Sequence, residues 1–353
     1  MSEATQPRVS AMVEAAISLL DAQPRTRIAS LPTPLRSVPR LAAALGLRRE
    51  LLFKHDDLTG SALGGNKIRK LEFLLADARR EGADTLVTVG AGQSNHARAT
   101  ALAGVSAGFK VHLVLGDGAD QAPEGNLVLD RLAGATLHVI ESADWNTLAE
   151  AMADVSGGLQ RQGCRPYCIP IGGSTPVGAL GYALAYCELL GDLDSRGVRA
   201  DWIVHASSTG GTQAGLVAGR TLTGQGPAIF GVDVAKGGPG LGERILALAE
   251  AVLDRLGSGQ RVEADAVRLS DFTGPAYGSP TKEAIAAMRT AARTEGLVLD
   301  PVYTAKALGA LPALEAAERL PGTGAVVFLH TGGHPALFAR RYSESVLEES
   351  VSA

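Results

Sequence analysis

The chain has 353 residues, 46% of them hydrophobic but only 4% aromatic, and a formal net charge of -4. That length suggests two lobes, at roughly 150 residues per domain, and the slightly acidic balance offers no electrostatic footprint for nucleic acid or an anionic membrane. No apolar run reaches the roughly 20 residues needed to cross a bilayer, so a soluble protein acting on small molecules is expected.

In chain order, a polar and mobile tip is expected first, then a helical stretch, VSAMVEAAISLLDA. Prolines break the pattern in LPTPLRSVPRLAAAL, and LLFKHDDL reads as a short strand. LGGNKIRKLEFLLADARR follows, with Ile68, Leu71, Leu74, Leu75 and Ala78 at helical spacing. From Asp84 a rhythm sets in: the apolar run TLVTV, the turn GAGQSN, the alanine-rich helix HARATALAGVSAG and the strand VHLVLG. Strand, turn, helix and strand in so short a span make a βαβ unit with parallel pairing. The rhythm recurs in TLHVIE, NTLAEAMADVSGGLQRQG and YCIPI, and again in WIVHA, SSTGG, TQAGLVAGRTL and AIFGV. It closes with AVVFLH, TGGH and PALFARRY, while GLGERILALAEAVLDRLGSG reads as a surface helix with a loose end. The expectation is an α/β protein with two doubly wound open-sheet lobes and ligands at the carboxyl ends of the strands. Three cysteines, Cys164, Cys168 and Cys187, with no leading charged-then-apolar segment, point to buried thiols in a reduced, cytosolic compartment.

Three Gly-rich turns can carry chemistry. Ser207-Ser208-Thr209-Gly210-Gly211-Thr212 joins a strand to a helix, where backbone N–H groups and hydroxyls meet the positive end of a helix dipole. It reads as a phosphate cup, or as an ordinary turn with Thr212 as N-cap. Gly90-Ala91-Gly92-Gln93-Ser94-Asn95 nearly matches a dinucleotide fingerprint, but Asn95 stands where the third glycine belongs. A polar substrate suits its Gln, Ser and Asn side chains better. His330-Thr331-Gly332-Gly333-His334 and His55-Asp56-Asp57 resemble metal sites, yet glycines fill the first and no partner cluster stands near the second in sequence, so no metal is expected.

Lys67, at a helix start, is on base rates a solvated charge and mildly misplaced against the dipole. The same positive potential lowers a lysine pKa and allows an imine with a carbonyl cofactor at neutral pH. With a phosphate cup and a polar turn on other strands, a pyridoxal phosphate (PLP) site becomes coherent.

GGNKIRKLEFLLADA, GAGQSNHARATALA, IPIGGSTPVGALGY, SSTGGTQAGL, PAYGSPT, LDPVYTAKAL and HTGGHPALF together resemble the D-cysteine desulfhydrase and 1-aminocyclopropane-1-carboxylate (ACC) deaminase family, over about residues 30 to 340. The resemblance implies the tryptophan-synthase β-like fold of PLP enzymes, fold type II, with residues 1–66 and 176–353 as the large PLP-binding domain and 67–175 as the small one. It implies a homodimer acting on an amino acid, with pyridoxal 5'-phosphate held by Lys67 as an internal aldimine. Asn95 would bond the phenolic oxygen, and Ser208, Thr209, Gly210, Gly211 and Thr212 would bind the phosphate. Ser94, with Gln93 and His96, would receive the substrate carboxylate, while Tyr277 and Tyr303 would reach the ring and substrate.

ACC deaminases resemble DPVYEGK and HLGG where this chain has Thr304 and Thr331, so hydroxyls rather than a carboxylate are expected at the pyridine nitrogen. A weaker electron sink still serves β-elimination, in which a good leaving group relieves the developing carbanion. D-cysteine elimination to pyruvate, ammonia and hydrogen sulfide is thus the leading expectation. L-cysteate sulfo-lyase, similar in DDLTG, QSNHAR and GTQAGL, is the close rival, with Thr59 and His334 as sources of sulfonate donors. ACC deamination, a non-catalytic binder and an NAD-dependent oxidoreductase are more distant readings.

Overall fold

A computed structural model describes residues 10–119, 123–238 and 240–347. The expected mobile tip lies outside the described residues.

Helix α1 (Ala11–Asp21), capped by the Ser10 hydroxyl, leads to β1 (Leu35–Ser37), α2 (Pro39–Ala44) and β2 (Leu51–Lys54). Helix α3 (Asn66–Arg80) is followed by β3 (Thr85–Ala91), α4 (Asn95–Ser106), β4 (Lys110–Gly116), α5 (Asn126–Leu132) and β5 (Thr136–Val139). Next come α6 (Trp145–Arg161), β6 (Pro166–Ile169), α7 (Pro176–Arg196), β7 (Ala200–Ser207), α8 (Gly211–Thr223) and β8 (Ala228–Asp233). The chain ends through α9 (Leu241–Arg255), β9 (Arg268–Asp271), α10 (Lys282–Glu295), α11 (Thr304–Ala316), β10 (Ala325–Leu329), α12 (His334–Leu337) and α13 (Arg340–Leu347).

The strands form two sheets, one of six in the order β1-β2-β10-β7-β8-β9 and one of four in the order β5-β4-β3-β6. Every pairing but β1 with β2 is parallel. Parallel sheets are covered on both faces, so their central strands are mostly apolar rather than alternating; all residues of β3 and β10 are buried, Thr85 and Thr88 of β3 included. On the larger sheet, α1, α7, α8 and α9 pack one face, and α2, α10 and α11 the other. The smaller sheet lies between α3 and α4 on one side and α6 on the other. Its strands all come from residues 85–169, whereas the larger sheet draws on both flanks.

Helix α9 is a surface helix as expected, its Glu243, Arg244, Asp254 and Arg255 exposed, while Leu241, Ile245, Ala249, Val252 and Leu253 on the other face join the core. One expectation is corrected. Of the three free cysteines only Cys187 is buried; Cys168 is exposed, since β6 is an edge strand of the small sheet. Among the described residues, no helix is long and apolar enough to cross a membrane.

Candidate active site

The carboxyl ends of β3 and β7 face a cavity of about 620 Å³. Into it the structure brings Lys67, Ser94, Asn95, His96, Ser208, Thr209, Gly210, Thr212, Tyr277, Tyr303 and Thr331, from segments far apart in the chain.

Lys67 is the second residue of α3, entered through Gly65 at φ 104°, a left-handed conformation that glycine adopts freely. The entry loop is pinned on both sides, Gly65 N donating to Asp56 O (2.9 Å) and Asn66 N to Thr331 O (3.1 Å). Lys67 Nζ donates to Asn66 Oδ1 at 3.1 Å, and Asn66 Nδ2 donates to Thr212 Oγ1 at 3.1 Å. Burial and the nearby Arg98 cation bring the Lys67 ammonium down to about 8, against an opposing pull from Asp300. The amine is therefore far more available near neutral pH than a solvated lysine.

At the end of β7 the backbone turns through Gly210, at φ 85°, into α8. Gly210, not Thr212, is the N-cap, and Thr212 spends its hydroxyl as acceptor for Asn66. Gly211 N donates to Ser174 Oγ (3.2 Å), which is paired with Thr209 Oγ1 at 2.7 Å. Lys70, one turn along α3 from Lys67, places its buried ammonium against Gly172 O (3.0 Å) and within 2.8 Å of where a Gly211 side chain would stand. Burial and Lys67 push its pKa well below the ordinary lysine value. A doubly charged phosphate here would meet the α8 N-terminus and restore charge to Lys70, so the turn fits such a group. Sequence reasoning missed Lys70 and Ser174, although two lysines three apart share a helix face and could have been noticed.

On the opposite wall, Ser94 caps α4, its Oγ accepting from Ala97 N (3.1 Å) and its proton remaining free for the cavity. Thr88 Oγ1 donates to Ile169 O (2.7 Å), so toward His96 it acts as acceptor for Nε2–H at 2.9 Å. His96 Nδ1 is then a buried acceptor with no protein partner. Burial, with Lys67 and Lys70 nearby, holds the ring neutral. Its one N–H is then committed to Thr88, so toward the cavity the ring offers only the Nδ1 acceptor and no donor for a carboxylate. The Tyr277 and Tyr303 hydroxyls lie 2.5 Å apart. Burial raises both phenol pKa values, so both are protonated donors near neutral pH. Trp145, at the start of α6, packs edge-on against Tyr277 with ring centres 6.1 Å apart.

Three expected residues do not line this cavity. Gln93 spends its side chain on the 124–126 turn, donating to Glu124 O and accepting from Asn126 N, both at 2.9 Å. Gly211 contributes only through the N–H that meets Ser174. Thr304 is buried behind Tyr303 and donates to Asp300 Oδ1 at 2.7 Å, because successive residues entering a helix point about 100° apart. The proposed sulfonate donors are also elsewhere: Thr59 donates to Gly65 O at 3.0 Å, and His334 Nε2 lies 2.8 Å from Val298 O.

The histidines do gain the partner that sequence spacing lacked, since ligand atoms of Asp57, His330 and His334 lie within 4.8 Å of one another. Gly332 N donates to His330 Nδ1 (3.3 Å), which leaves the proton on Nε2, aimed at Val298 O at 2.9 Å. His330 and His334 thus both meet the Val298 carbonyl, while Asp57 is paired with His55 at 3.0 Å.

A depressed lysine, a phosphate cradle on a helix N-terminus and a carboxamide between them, at the carboxyl ends of two parallel sheets, define an α/β enzyme of the PLP-binding class. Comparison with known proteins agrees, and the chain belongs to the family of pyridoxal-phosphate dependent enzymes, whose pattern matches residues 27–332. It is 40% identical over 323 residues to a D-cysteine desulfhydrase of Klebsiella pneumoniae strain 342, covering 90% of this chain and 96% of that one. It is 38% identical over 331 residues to a provisionally named 1-aminocyclopropane-1-carboxylate deaminase of Pyrococcus abyssi, covering 94% and 97%. A crystal structure described as an ACC deaminase homologue superposes with a TM-score of 0.87 at 34% identity, covering 96% of this chain and 99% of that one. Diaminopropionate ammonia lyase of Escherichia coli, at 16% identity and a TM-score of 0.68, shares the fold. The protein is a lyase-type PLP enzyme, and the oxidoreductase reading of the GAGQSN turn falls away.

Proposed function

We propose that the protein eliminates the β-substituent of D-cysteine, converting it with one water to pyruvate, ammonia and hydrogen sulfide. The observation that carries this reading is the electrostatic make-up of the cavity. Among the described residues its one carboxylate is Asp144, whose Oδ2 is engaged by Thr147 N and Oγ1 at 2.8 and 3.0 Å. The cavity thus offers hydroxyls, amides and cations rather than an acid to keep a pyridine nitrogen charged, which favours a substrate whose own leaving group drives the reaction.

Lys67, Asn95, Lys70 and the 208–212 turn would hold the cofactor, which when bound supplies the electron sink for charge developing at the substrate α-carbon. With substrate in the cavity, the Lys67 amine would be the base that takes the proton from the substrate α-carbon. Ser94 Oγ–H is the donor placed for the carboxylate, leaving His96 Nδ1 as an acceptor in the same wall. Tyr277 Oη, backed by Tyr303, would donate a hydrogen bond to the departing sulfur, which can leave as hydrosulfide without taking the phenol proton. The reading extends to a cytoplasmic homodimer with residues 67–175 as the small domain; light scattering at about twice 36.3 kDa tests the assembly.

The decisive experiment assays pyruvate and ammonia from D-cysteine, L-cysteate, D-serine, β-chloro-D-alanine and ACC side by side. Preference for D-cysteine with sulfide release is expected. Turnover of L-cysteate alone, or ammonia from ACC without pyruvate, would overturn the assignment. Lys67→Ala is expected to lose both the visible absorbance of the bound cofactor and pyruvate release.

A further inference from the structure

The Asn95 carboxamide has an accepting end and a donating end, and the residues behind it decide which one faces the cavity. Arg98, buried on α4, is a donor only, since a guanidinium has no acceptor. Its Nε lies 3.1 Å from the Asn126 side chain, so that end of the Asn126 amide must be the oxygen. The other end, Nδ2, then donates to Gln93 O and to Asn95 Oδ1, each at 3.0 Å. Turning Asn126 over would set donor against donor at Arg98 and acceptor against acceptor at Gln93. Asn126 is fully buried, which makes either mismatch costly. With its oxygen taken, Asn95 presents its NH2 to the cavity it lines. Arg98 reaches the lysine side as well, donating from Nη1 to Gly64 O at 3.3 Å, three residues before Lys67.

We propose that Arg98 and Asn126 are positioning residues that set the polarity of Asn95, so that a donor and not an acceptor meets the phenolic oxygen of the cofactor. The proposal rests on the cofactor and not on which amino acid is the substrate. A donor at that oxygen weakens its hold on the proton shared with the lysine nitrogen, lowering the pH at which the bound cofactor changes colour.

The test uses the holoenzyme of Asn126→Asp, which is nearly isosteric, keeps an acceptor for Arg98 and removes both donors. The expected result is an upward shift in the pH midpoint of the visible band and about tenfold weaker cofactor binding, with an unchanged circular dichroism spectrum. Asn95→Ala should produce the same shift, and the double variant should add nothing to it, because both changes remove one coupled interaction. A wild-type midpoint and affinity in Asn126→Asp, or effects that sum in the double variant, would overturn the proposal. Should Asn126→Asp not fold, Asn126→Ser carries the same two readouts. None of these measurements needs turnover, so failure of the D-cysteine assignment would leave them decisive.

Discussion

Lys67 shows how a single buried cation is turned to use. With its ammonium at about 8, roughly a tenth of the molecules carry a neutral amine at pH 7, against fewer than about one in a thousand for a solvated lysine. Capture of pyridoxal phosphate by the cofactor-free enzyme should therefore speed up about tenfold per pH unit below pH 8 and level off above it. Stopped-flow absorbance measures this, and a rate still climbing steeply at pH 10 would show that burial and Arg98 do not depress this lysine. Thr304 offers a contrasting case, a residue whose neighbour in sequence faces the cavity while it does not. Asp300 is buried and burial raises its pKa, and Thr304 supplies two of its donors, the N–H and the hydroxyl. Thr304→Val removes the hydroxyl, and should lower stability by about 1–2 kcal/mol in thermal melts while leaving the cofactor spectrum unchanged. A spectral shift would instead place Thr304 against the cofactor.

The turn from β7 into α8 is the element we propose for the cofactor phosphate. Gly210 sits at φ 85°, and a Cβ there would come within 2.7 Å of Ile245 Cγ1 on α9. Gly210→Ala thus combines backbone strain with a clash, at a cost of about 1–3 kcal/mol. It should weaken pyridoxal phosphate binding much more than binding of pyridoxal, which lacks the phosphate, as titration of both would reveal. Equal losses for the two would mean that the turn shapes the whole cavity and not the phosphate end. That this turn could be read from the sequence, while other features could not, has a physical basis. The strands β3, β7 and β10 stand out because burial on both faces favours mostly apolar runs. Edge strands β1 and β9 have three and four residues with only partial burial, too few for a pattern to emerge. The run of small and hydroxylated residues at 207–212 stands out in the sequence as a strand-to-helix turn able to take an anion. The path of Gln93 toward the 124–126 turn and of Thr304 toward Asp300 depends on side-chain direction at a helix entry, which a linear pattern does not encode.

Across the whole molecule, the helix that begins beside Lys67 is tied to both flanks of the chain by a buried ion network. Arg69 of α3 donates to both oxygens of Asp56, after β2, and to both oxygens of Glu188 on α7. Lys54 of β2 meets Glu188 at 2.5 Å and Asp192 at 2.6 Å, while Thr33 and Tyr182 donate to Asp56. Such a network fixes where α3 lies, and with it the direction of Lys67. Against burial, which alone would raise it, hydrogen bonds and charge from Arg69 and Lys54 hold the Glu188 carboxyl at about 2 rather than its ordinary 4.5. A carboxylate depressed in the folded state adds stability above its unfolded value, and that contribution disappears as pH falls through the folded one. The cofactor-free enzyme should accordingly lose stability between about pH 4.5 and 2. Glu188→Gln, which leaves Arg69 and Lys54 short of one anion, should be less stable at pH 7 yet flatter over the acid range, so that the two proteins converge on acidification. Denaturant midpoints at pH 7, 4 and 3 decide the matter. A gap between them that stays constant with pH would mean that the shape and hydrogen bonding of Glu188, and not its charge, anchor the lysine helix.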